Sequence, residues 1–162
     1  MKRVLLILLV TIAFYSKSEA QKTLPSIAIE NLEGRRLSAS QIEHDGPLVL
    51  NFWATWCKPC VQELTEIQDQ YDDWIDETNV KVIAISIDDT RSANKVNGFA
   101  TGRGWDFEIY LDKNSDLKRA LNINNIPYTV LLNSSGEIVW RHAGYTPGDE
   151  EVLYEKLVKL AE

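Results

Sequence analysis

An almost uninterrupted apolar run from Pro47 to Trp53 leads, within a few residues, into a helical pattern. An apolar run of this length without alternation predicts a strand that is covered on both faces. From Pro59 onward, apolar residues recur at steps of three and four, which predicts a long amphipathic helix that ends near Asp76. A buried strand that leads directly into a helix favours an α/β fold. Both cysteines of the chain lie at this junction.

The rest of the chain continues the alternation of strands and helices. The other predicted strands cover residues 27–30, 35–37, 80–87, 107–111, 128–132 and 138–143. The other predicted helices cover residues 90–99 and 115–121 and the C-terminal segment. The last helix is expected to have Thr146 as its N-cap and Pro147 as its first residue, and Asp89 is expected to cap the helix over 90–99. Together these elements predict a mixed sheet with helices on both faces.

Residues 1–20 have the order of a secretory signal peptide. Lys2 and Arg3 precede an apolar run over residues 4–15, which is shorter than the roughly 20 residues of a permanent membrane span. Ser18 and Ala20 then supply a small-x-small cleavage pattern, so we expect cleavage after Ala20. An uncleaved membrane anchor is the alternative. Residues 21–162 are expected to form one domain in an oxidising, extracytoplasmic compartment.

The charge of the chain restricts its possible partners, and its size restricts the possible roles of its two cysteines. The chain has 17 Lys and Arg against 24 Asp and Glu, a net charge of -7, so no basic face is expected to neutralise nucleic-acid phosphates. A domain of this length can bury a sufficient core without covalent staples. The cysteines are therefore not needed to hold the fold and are available for chemistry.

Cys57 and Cys60 are expected to lie in the first turn of the helix that follows the buried strand. Unpaired backbone N–H groups and the helix dipole stabilise a thiolate there and lower its pKa. The two intervening residues allow the second thiol to attack a mixed disulfide formed by the first. We therefore predict that Cys57, at the exposed end, is the nucleophile and that Cys60 resolves the mixed disulfide. Pro59 is expected to hold the first helical turn, and Lys58 either adds favourable charge or is only solvated.

Other uses of a closely spaced cysteine pair fit the sequence less well. A zinc site usually needs four ligands, and His44 and His142 are isolated. A structural disulfide that closes so small a ring removes little entropy from the unfolded chain. A copper-delivery site would need both thiols and a distant histidine. These three alternatives stay open beside the redox function.

The segment Asn51 to Cys60, NFWATWCKPC, resembles the active-site signature of the thioredoxin superfamily, and within it the TlpA/ResA-like extracytoplasmic thiol-disulfide oxidoreductases. The order of the predicted elements is also similar to this family over nearly the whole of residues 21–162. The resemblance implies a thioredoxin-like α/β fold with an N-terminal hairpin and an additional helix and strand at about residues 90–111. It implies no cofactor other than the redox-active disulfide.

The resemblance also implies roles for residues outside the cysteine pair. Pro127 is expected to have a cis peptide bond and to pack beside the disulfide, while the backbone of Ile126 pairs with an extended substrate segment. The substrate-binding residues that the resemblance implies are Trp56, Lys58, Pro59, Ile126, Pro127 and Tyr128. Glu63 matches a family glutamate that could accept or return the proton of Cys60, and a solvated helix charge is its alternative role.

Three positions depart from the family pattern. Thioredoxins usually have a buried Asp where this chain has Asn51, and an amide cannot take a proton at physiological pH, so Glu63 or water is expected to handle protons. Thr65 stands where the family often has Pro, so no kink is expected in the helix. Tyr128 stands where Thr commonly follows the cis-proline, and its bulk is expected to reshape the substrate groove.

The resemblance implies a periplasmic enzyme that reduces disulfides of client proteins, in this family often those of apocytochrome c before haem attachment. Because the chain has only two cysteines, a membrane thiol carrier of the DsbD/CcdA type is expected to supply its electrons. A disulfide-forming oxidase on the same fold is one alternative, and the reduction potential distinguishes the two. A copper-binding chaperone, or a protein that only docks partners, is the other.

Overall fold

The computed structural model describes residues 22–162. The predicted signal peptide lies outside these described residues. Within residues 22–162, no helix combines the length and the apolar character that a membrane crossing requires.

Strands and helices alternate through the described part of the chain. The strands are β1 (Ala28–Asn31), β2 (Arg36–Ser38), β3 (Leu48–Trp53), β4 (Lys81–Ser86), β5 (Glu108–Leu111), β6 (Tyr128–Leu132) and β7 (Ile138–Ala143). The α-helices are α1 (Lys58–Asp69), α2 (Tyr71–Thr78), α3 (Val96–Thr101), α4 (Asp116–Ala120) and α5 (Asp149–Ala161). The seven strands form one sheet in the order β2-β1-β5-β4-β3-β6-β7. The predicted hairpin is β1 and β2, and the expected additional helix and strand are α3 and β5.

The central strand β3 determines where the site is placed. It runs parallel to β4 and antiparallel to β6, and all of its residues are buried, as its apolar run predicts. Trp53 at the end of β3 pairs with Ser86 at the end of β4, and Phe52 pairs with Tyr128 at the start of β6. The segments that follow β3, follow β4 and precede β6 therefore meet at one edge of the sheet.

Helices cover both faces of the sheet, which confirms the prediction. One core cluster joins the sheet to α1, α2, α3 and α5, and it includes Val49, Trp53, Leu64, Trp74 and Leu157. The other face is covered by α4 and the N-terminal segment, and its core includes Leu50, Phe52, Ile83, Leu117 and Leu121. Successive side chains of β3 alternate between the two clusters, as the pleat of a strand requires.

The long helix predicted from Pro59 to near Asp76 is two helices. Gln70, between α1 and α2, has φ -117° and ψ 1°, and its backbone N–H bonds to the carbonyl of Ile67 rather than continuing the α-helical ladder. The expectation that Thr65 introduces no kink holds for α1, which passes through it unbroken. The apolar spacing does not reveal the break because α1 and α2 bury the same side against one core cluster.

The predicted start of the last helix is also wrong. Gly148 has φ +103°, a left-handed conformation, and α5 begins only at Asp149. Thr146 and Pro147 therefore lie in the preceding turn, where the Asp149 carboxylate accepts the backbone N–H of Thr146 at 2.7 Å. The first residue of α5 thus closes the turn that precedes the helix.

The helix expected over residues 90–99 starts later than predicted. Asp89 does accept backbone N–H groups, those of Arg91 and Ser92 at 3.0 and 3.1 Å, but these bonds close a turn that precedes the helix. A 3-10 turn over Ala93–Lys95 follows, and α3 covers only Val96–Thr101.

Candidate active site

Cys57 and Cys60 form a disulfide at the N-terminus of α1, with an S–S distance of 2.01 Å. Cys57 is the N-cap residue, and its carbonyl accepts the backbone N–H of Val61 at 3.1 Å. Pro59 stands in the first turn, where its missing N–H costs no helical hydrogen bond. Cys57 is 6% exposed and Cys60 is 0% exposed. An attacking sulfur can therefore approach Cys57 and is kept from Cys60.

The segment around the disulfide carries an exposed aromatic side chain. Trp56 is 68% exposed, and Lys58 and Pro59 are exposed next to it. Tryptophan is enriched at surfaces through which proteins contact one another, because its large indole supplies apolar contact area. The binding of substrate by these three residues stays a prediction.

The loop before β6 reaches the same edge of the sheet. The Ile126–Pro127 peptide bond is cis, as the family resemblance implies. Pro127 is buried, whereas Ile126 and Tyr128 are half-buried, and the backbone N–H of Gly144 donates to the Pro127 carbonyl at 2.9 Å. The structure thus brings residues 126–128 to the edge that carries the cysteines, and their contact with substrate stays a prediction.

Glu63 is a buried side chain and not a solvated helix charge. Only 4% of it is exposed, and its Oε1 accepts a hydrogen bond from Thr129 Oγ1 at 2.9 Å. Thr129 Oγ1 in turn accepts from Asn51 Nδ2 at 3.0 Å. Burial raises the pKa of the Glu63 carboxyl to about 7, against the opposing effect of donors on Asn51 and Thr129 and of charge on His142. A carboxyl with this pKa can both take and give a proton near neutrality.

His142 lies next to this group rather than next to a cluster of metal ligands. It pairs with Thr129 across β6 and β7, stacks on the ring of Trp140, and has its Nε2 3.2 Å from Asp149 Oδ2. His44 is elsewhere, with its Nδ1 2.7 Å from the Gly46 carbonyl oxygen. In residues 22–162, no group of three or more His, Cys, Asp or Glu side chains is placed to hold a metal ion.

A second buried carboxylate, Asp88, fixes the loop that precedes Cys57. It is 0% exposed and accepts the backbone N–H of Thr55 at 2.8 Å and the Thr55 hydroxyl at 2.7 Å. It also accepts the Ser86 hydroxyl at 2.9 Å. The loop after β3 is thereby tied to the end of β4, one residue before the exposed Trp56.

Neither Asp88 nor Thr129 belongs to a motif that the sequence alone marks, although the topology contains a signal for both. Asp88 follows β4 and Thr55 follows β3, and the carboxyl ends of parallel strands meet at one edge. Thr129 lies directly opposite Asn51 in the antiparallel pair of β3 and β6, so the two side chains share a face.

Comparisons with known proteins agree with this geometry. Residues 20–141 match the model of the AhpC/TSA family. The thiol-disulfide oxidoreductase ResA of Halalkalibacterium halodurans is 31% identical over 154 residues, which cover 91% of this chain and 84% of the relative. ResA of Bacillus subtilis is 30% identical over 115 residues, which cover 71% of this chain and 62% of the relative.

Solved structures give the same result for the fold. A thioredoxin-like protein from Porphyromonas gingivalis is 42% identical with a TM-score of 0.79, and the match covers 88% of this chain and 94% of that protein. StoA from Bacillus subtilis is 25% identical with a TM-score of 0.63, covering 83% of this chain and 99% of StoA. The predicted thioredoxin-like fold is confirmed.

Proposed function

This chain belongs to the AhpC/TSA family and is a thiol-disulfide oxidoreductase of the ResA type, and from that premise we propose that it reduces disulfides of client proteins. The observation that carries the proposal is the position of the disulfide. Cys57 caps a helix and is slightly exposed, whereas Cys60 is fully buried one turn into the helix. This asymmetry gives the two sulfurs different roles, with Cys57 as nucleophile and Cys60 as resolving thiol.

The first chemical step takes place at Cys57. In the reduced protein, the N-terminus of α1 stabilises its thiolate. The thiolate attacks one sulfur of a client disulfide, so that a Cys57–client bond forms, the client S–S bond breaks, and one client thiolate leaves.

The second step returns the disulfide to this chain. Cys60 gives its proton to Glu63, and its sulfur attacks Cys57 Sγ. The Cys57–Cys60 bond forms, the Cys57–client bond breaks, and the second client thiolate leaves. Two electrons have then moved from the dithiol to the client, and Glu63 has served as the base of the resolving step.

The client segment is proposed to bind across the edge of the sheet that carries the disulfide. An extended strand of the client pairs with the backbone of Ile126, and the half-buried side chain of Tyr128 narrows the groove there. The proposed contact residues are Trp56, Lys58, Pro59, Ile126, Pro127 and Tyr128. Trp56, Lys58 and Pro59 are exposed at the start of α1, and Ile126, Pro127 and Tyr128 lie at the start of β6, where only Pro127 is buried.

The cellular setting is part of the proposal. We place the protein in the periplasm after removal of residues 1–20, with the cysteines of apocytochrome c among its clients. A membrane thiol carrier of the DsbD/CcdA type reduces its disulfide again after each turnover, since Cys57 and Cys60 are the only cysteines of the chain. The redox-active disulfide is the only redox group that this cycle uses.

The reduction potential of the Cys57/Cys60 couple tests the direction of electron flow. A reductase is expected to have a potential nearer the roughly -270 mV of thioredoxin than the roughly -120 mV of DsbA. The protein is equilibrated in glutathione or dithiothreitol redox buffers, starting from both the oxidised and the reduced form, and the thiol fraction is measured. A value near that of DsbA would instead support the disulfide-forming oxidase.

A further inference from the structure

Asn51, Thr129 and Glu63 form a hydrogen-bond chain between the sheet and α1. They come from β3, β6 and α1, and their exposed fractions are 0%, 1% and 4%. The two distances in the chain are 3.0 Å from Asn51 Nδ2 to Thr129 Oγ1 and 2.9 Å from Thr129 Oγ1 to Glu63 Oε1. Three separate elements thus fix the orientation of one carboxyl group.

The direction of these hydrogen bonds follows from the number of hydrogens available. A threonine hydroxyl has one hydrogen and two lone pairs. Since Asn51 Nδ2 donates to Thr129 Oγ1, the single hydroxyl hydrogen is available for Glu63 Oε1. Oε1 is therefore an acceptor, and a proton that binds to the carboxyl goes to Oε2.

Glu63 Oε2 and Asn51 Oδ1 are the two atoms of this hydrogen-bond chain that are left over. Both are buried, and among the residues that the structure describes no group hydrogen-bonds to either atom. Buried polar atoms without partners are uncommon and often mark a functional site. Glu63 lies three residues after Cys60 on α1, a spacing that places two side chains next to each other on a helix.

We propose that Thr129 is the positioning residue of the resolving step: its hydroxyl holds Glu63 Oε1, so that Oε2 is the oxygen that takes the proton of Cys60 and returns it. This inference rests on the role of Glu63 in the proposed function. Thr129 itself touches neither the client nor the reacting sulfurs in this scheme. It acts through the carboxyl that it orients.

The same proton can serve both halves of the redox cycle. During client reduction it moves from the Cys60 thiol to Oε2. When the disulfide is reduced again, a donor thiolate attacks Cys57 Sγ and forms a donor–Cys57 bond. The Cys57–Cys60 bond breaks in this step, and Cys60 leaves as a thiolate. That thiolate takes the proton from Oε2. A second donor thiolate then attacks the donor–Cys57 disulfide and releases the Cys57 thiolate.

Other charged groups face Glu63 and stay unchanged in the test. His142 on β7 lowers the pKa of the Glu63 carboxyl, and Asp149 at the start of α5 raises it. Tyr145, in the loop between them, is affected by the charges of Glu63 and Glu66. The Thr129 hydroxyl favours the ionised carboxylate, so its removal is expected to raise the pKa of Glu63 further.

The test follows the resolving step as a function of pH. Reduced protein is mixed with enough of a disulfide-bonded model peptide to make attack by Cys57 faster than resolution at every pH, and the rate at which the Cys57–Cys60 disulfide then forms is measured in a single turnover. The wild type is expected to show an inflection near neutral pH that Glu63→Gln removes. Thr129→Val, which keeps the shape of the side chain, is expected to move the inflection upward by about one pH unit.

Three further variants separate positioning from loss of packing. Thr129→Ser restores the hydroxyl and is expected to return the inflection to near its wild-type pH. Thr78→Val removes an equally buried hydroxyl, which donates to the Trp74 carbonyl, and is expected to leave the profile unchanged. Thr129→Ala is the second variant if valine does not fold, with the same upward shift expected.

The variants distinguish failure of the role of Glu63 from failure of the role of Thr129. A wild-type pH profile in Glu63→Gln would show that Glu63 does not handle the proton, which overturns its role in the proposed function and the inference on Thr129 with it. If Glu63→Gln removes the inflection while Thr129→Val and Thr129→Ala keep it at the wild-type pH, only the inference on Thr129 is overturned.

Discussion

Replacing either cysteine by serine is expected to stop multiple-turnover disulfide exchange, but only Cys60→Ser is expected to accumulate a mixed disulfide with the client. Cys57 carries the sulfur that an incoming disulfide can approach, and Cys60 is fully buried. Without Cys60, the Cys57–client bond forms and cannot be resolved within the chain. Turnover in both variants is expected to fall by more than about 1000-fold, since loss of a catalytic nucleophile slows other enzymes by up to about a million-fold.

The two serine variants are matched controls for each other. Each is incubated with a disulfide-bonded peptide, and the adduct is measured by intact mass under non-reducing conditions. When the disulfide joins two identical peptide chains, Cys60→Ser is expected to gain the mass of one chain, and Cys57→Ser is expected to gain none. An adduct that forms on Cys57→Ser and not on Cys60→Ser would reverse the assigned roles.

Asp88→Ala is expected to lower the free energy of unfolding by about 3 kcal/mol or more. The carboxylate accepts three hydrogen bonds from Thr55 and Ser86 and is fully buried. Alanine leaves these donors without their acceptor, and a buried donor left unpaired costs about 1–3 kcal/mol. The loop that leads to Cys57 also loses its link to β4, so exchange is expected to slow at temperatures where the variant is still folded.

Urea unfolding of the oxidised protein measures this effect. Asp69→Ala removes an exposed carboxylate at the end of α1 and is expected to change the stability by no more than about 0.5 kcal/mol. Asp88→Asn, which keeps one acceptor oxygen, is expected to fall between the wild type and Asp88→Ala. A loss below about 1 kcal/mol in Asp88→Ala would contradict the role of Asp88 as an anchor of this loop.

Much of the fold is predictable because its strongest signals are local. The run from Pro47 to Trp53 identifies the buried central strand, since only a strand covered on both faces has so little alternation. The break at Gln70 is not predictable from spacing because the residues on either side bury the same face. Gly148 has a left-handed backbone conformation, so α5 begins only at Asp149. The sequence pattern that predicts a cap at Thr146 does not reveal this conformation.

The candidate site likewise has features that local sequence predicts and features that only the folded structure shows. The roles of Cys57 and Cys60 are predictable because they depend on spacing and on the position of a helix start. The burial of Glu63 and its contact with Thr129 depend on which face of α1 packs against β6, a tertiary contact that one sequence does not specify. Asp88 is missed for a related reason, since its partners come from two different strands.

Site-resolved alkylation of the reduced protein tests the central claim, that Cys57 is the reactive thiol of a redox pair. Iodoacetamide is added at pH 7, the reaction is stopped at intervals, and labelling of each cysteine is measured by tandem mass spectrometry. The N-terminus of α1 lowers the pKa of the Cys57 thiol and so raises its thiolate fraction, whereas Cys60 is fully buried. Cys57 is therefore predicted to label about ten times faster than Cys60, the effect of a pKa difference of about one unit, and equal or faster labelling of Cys60 would contradict the account.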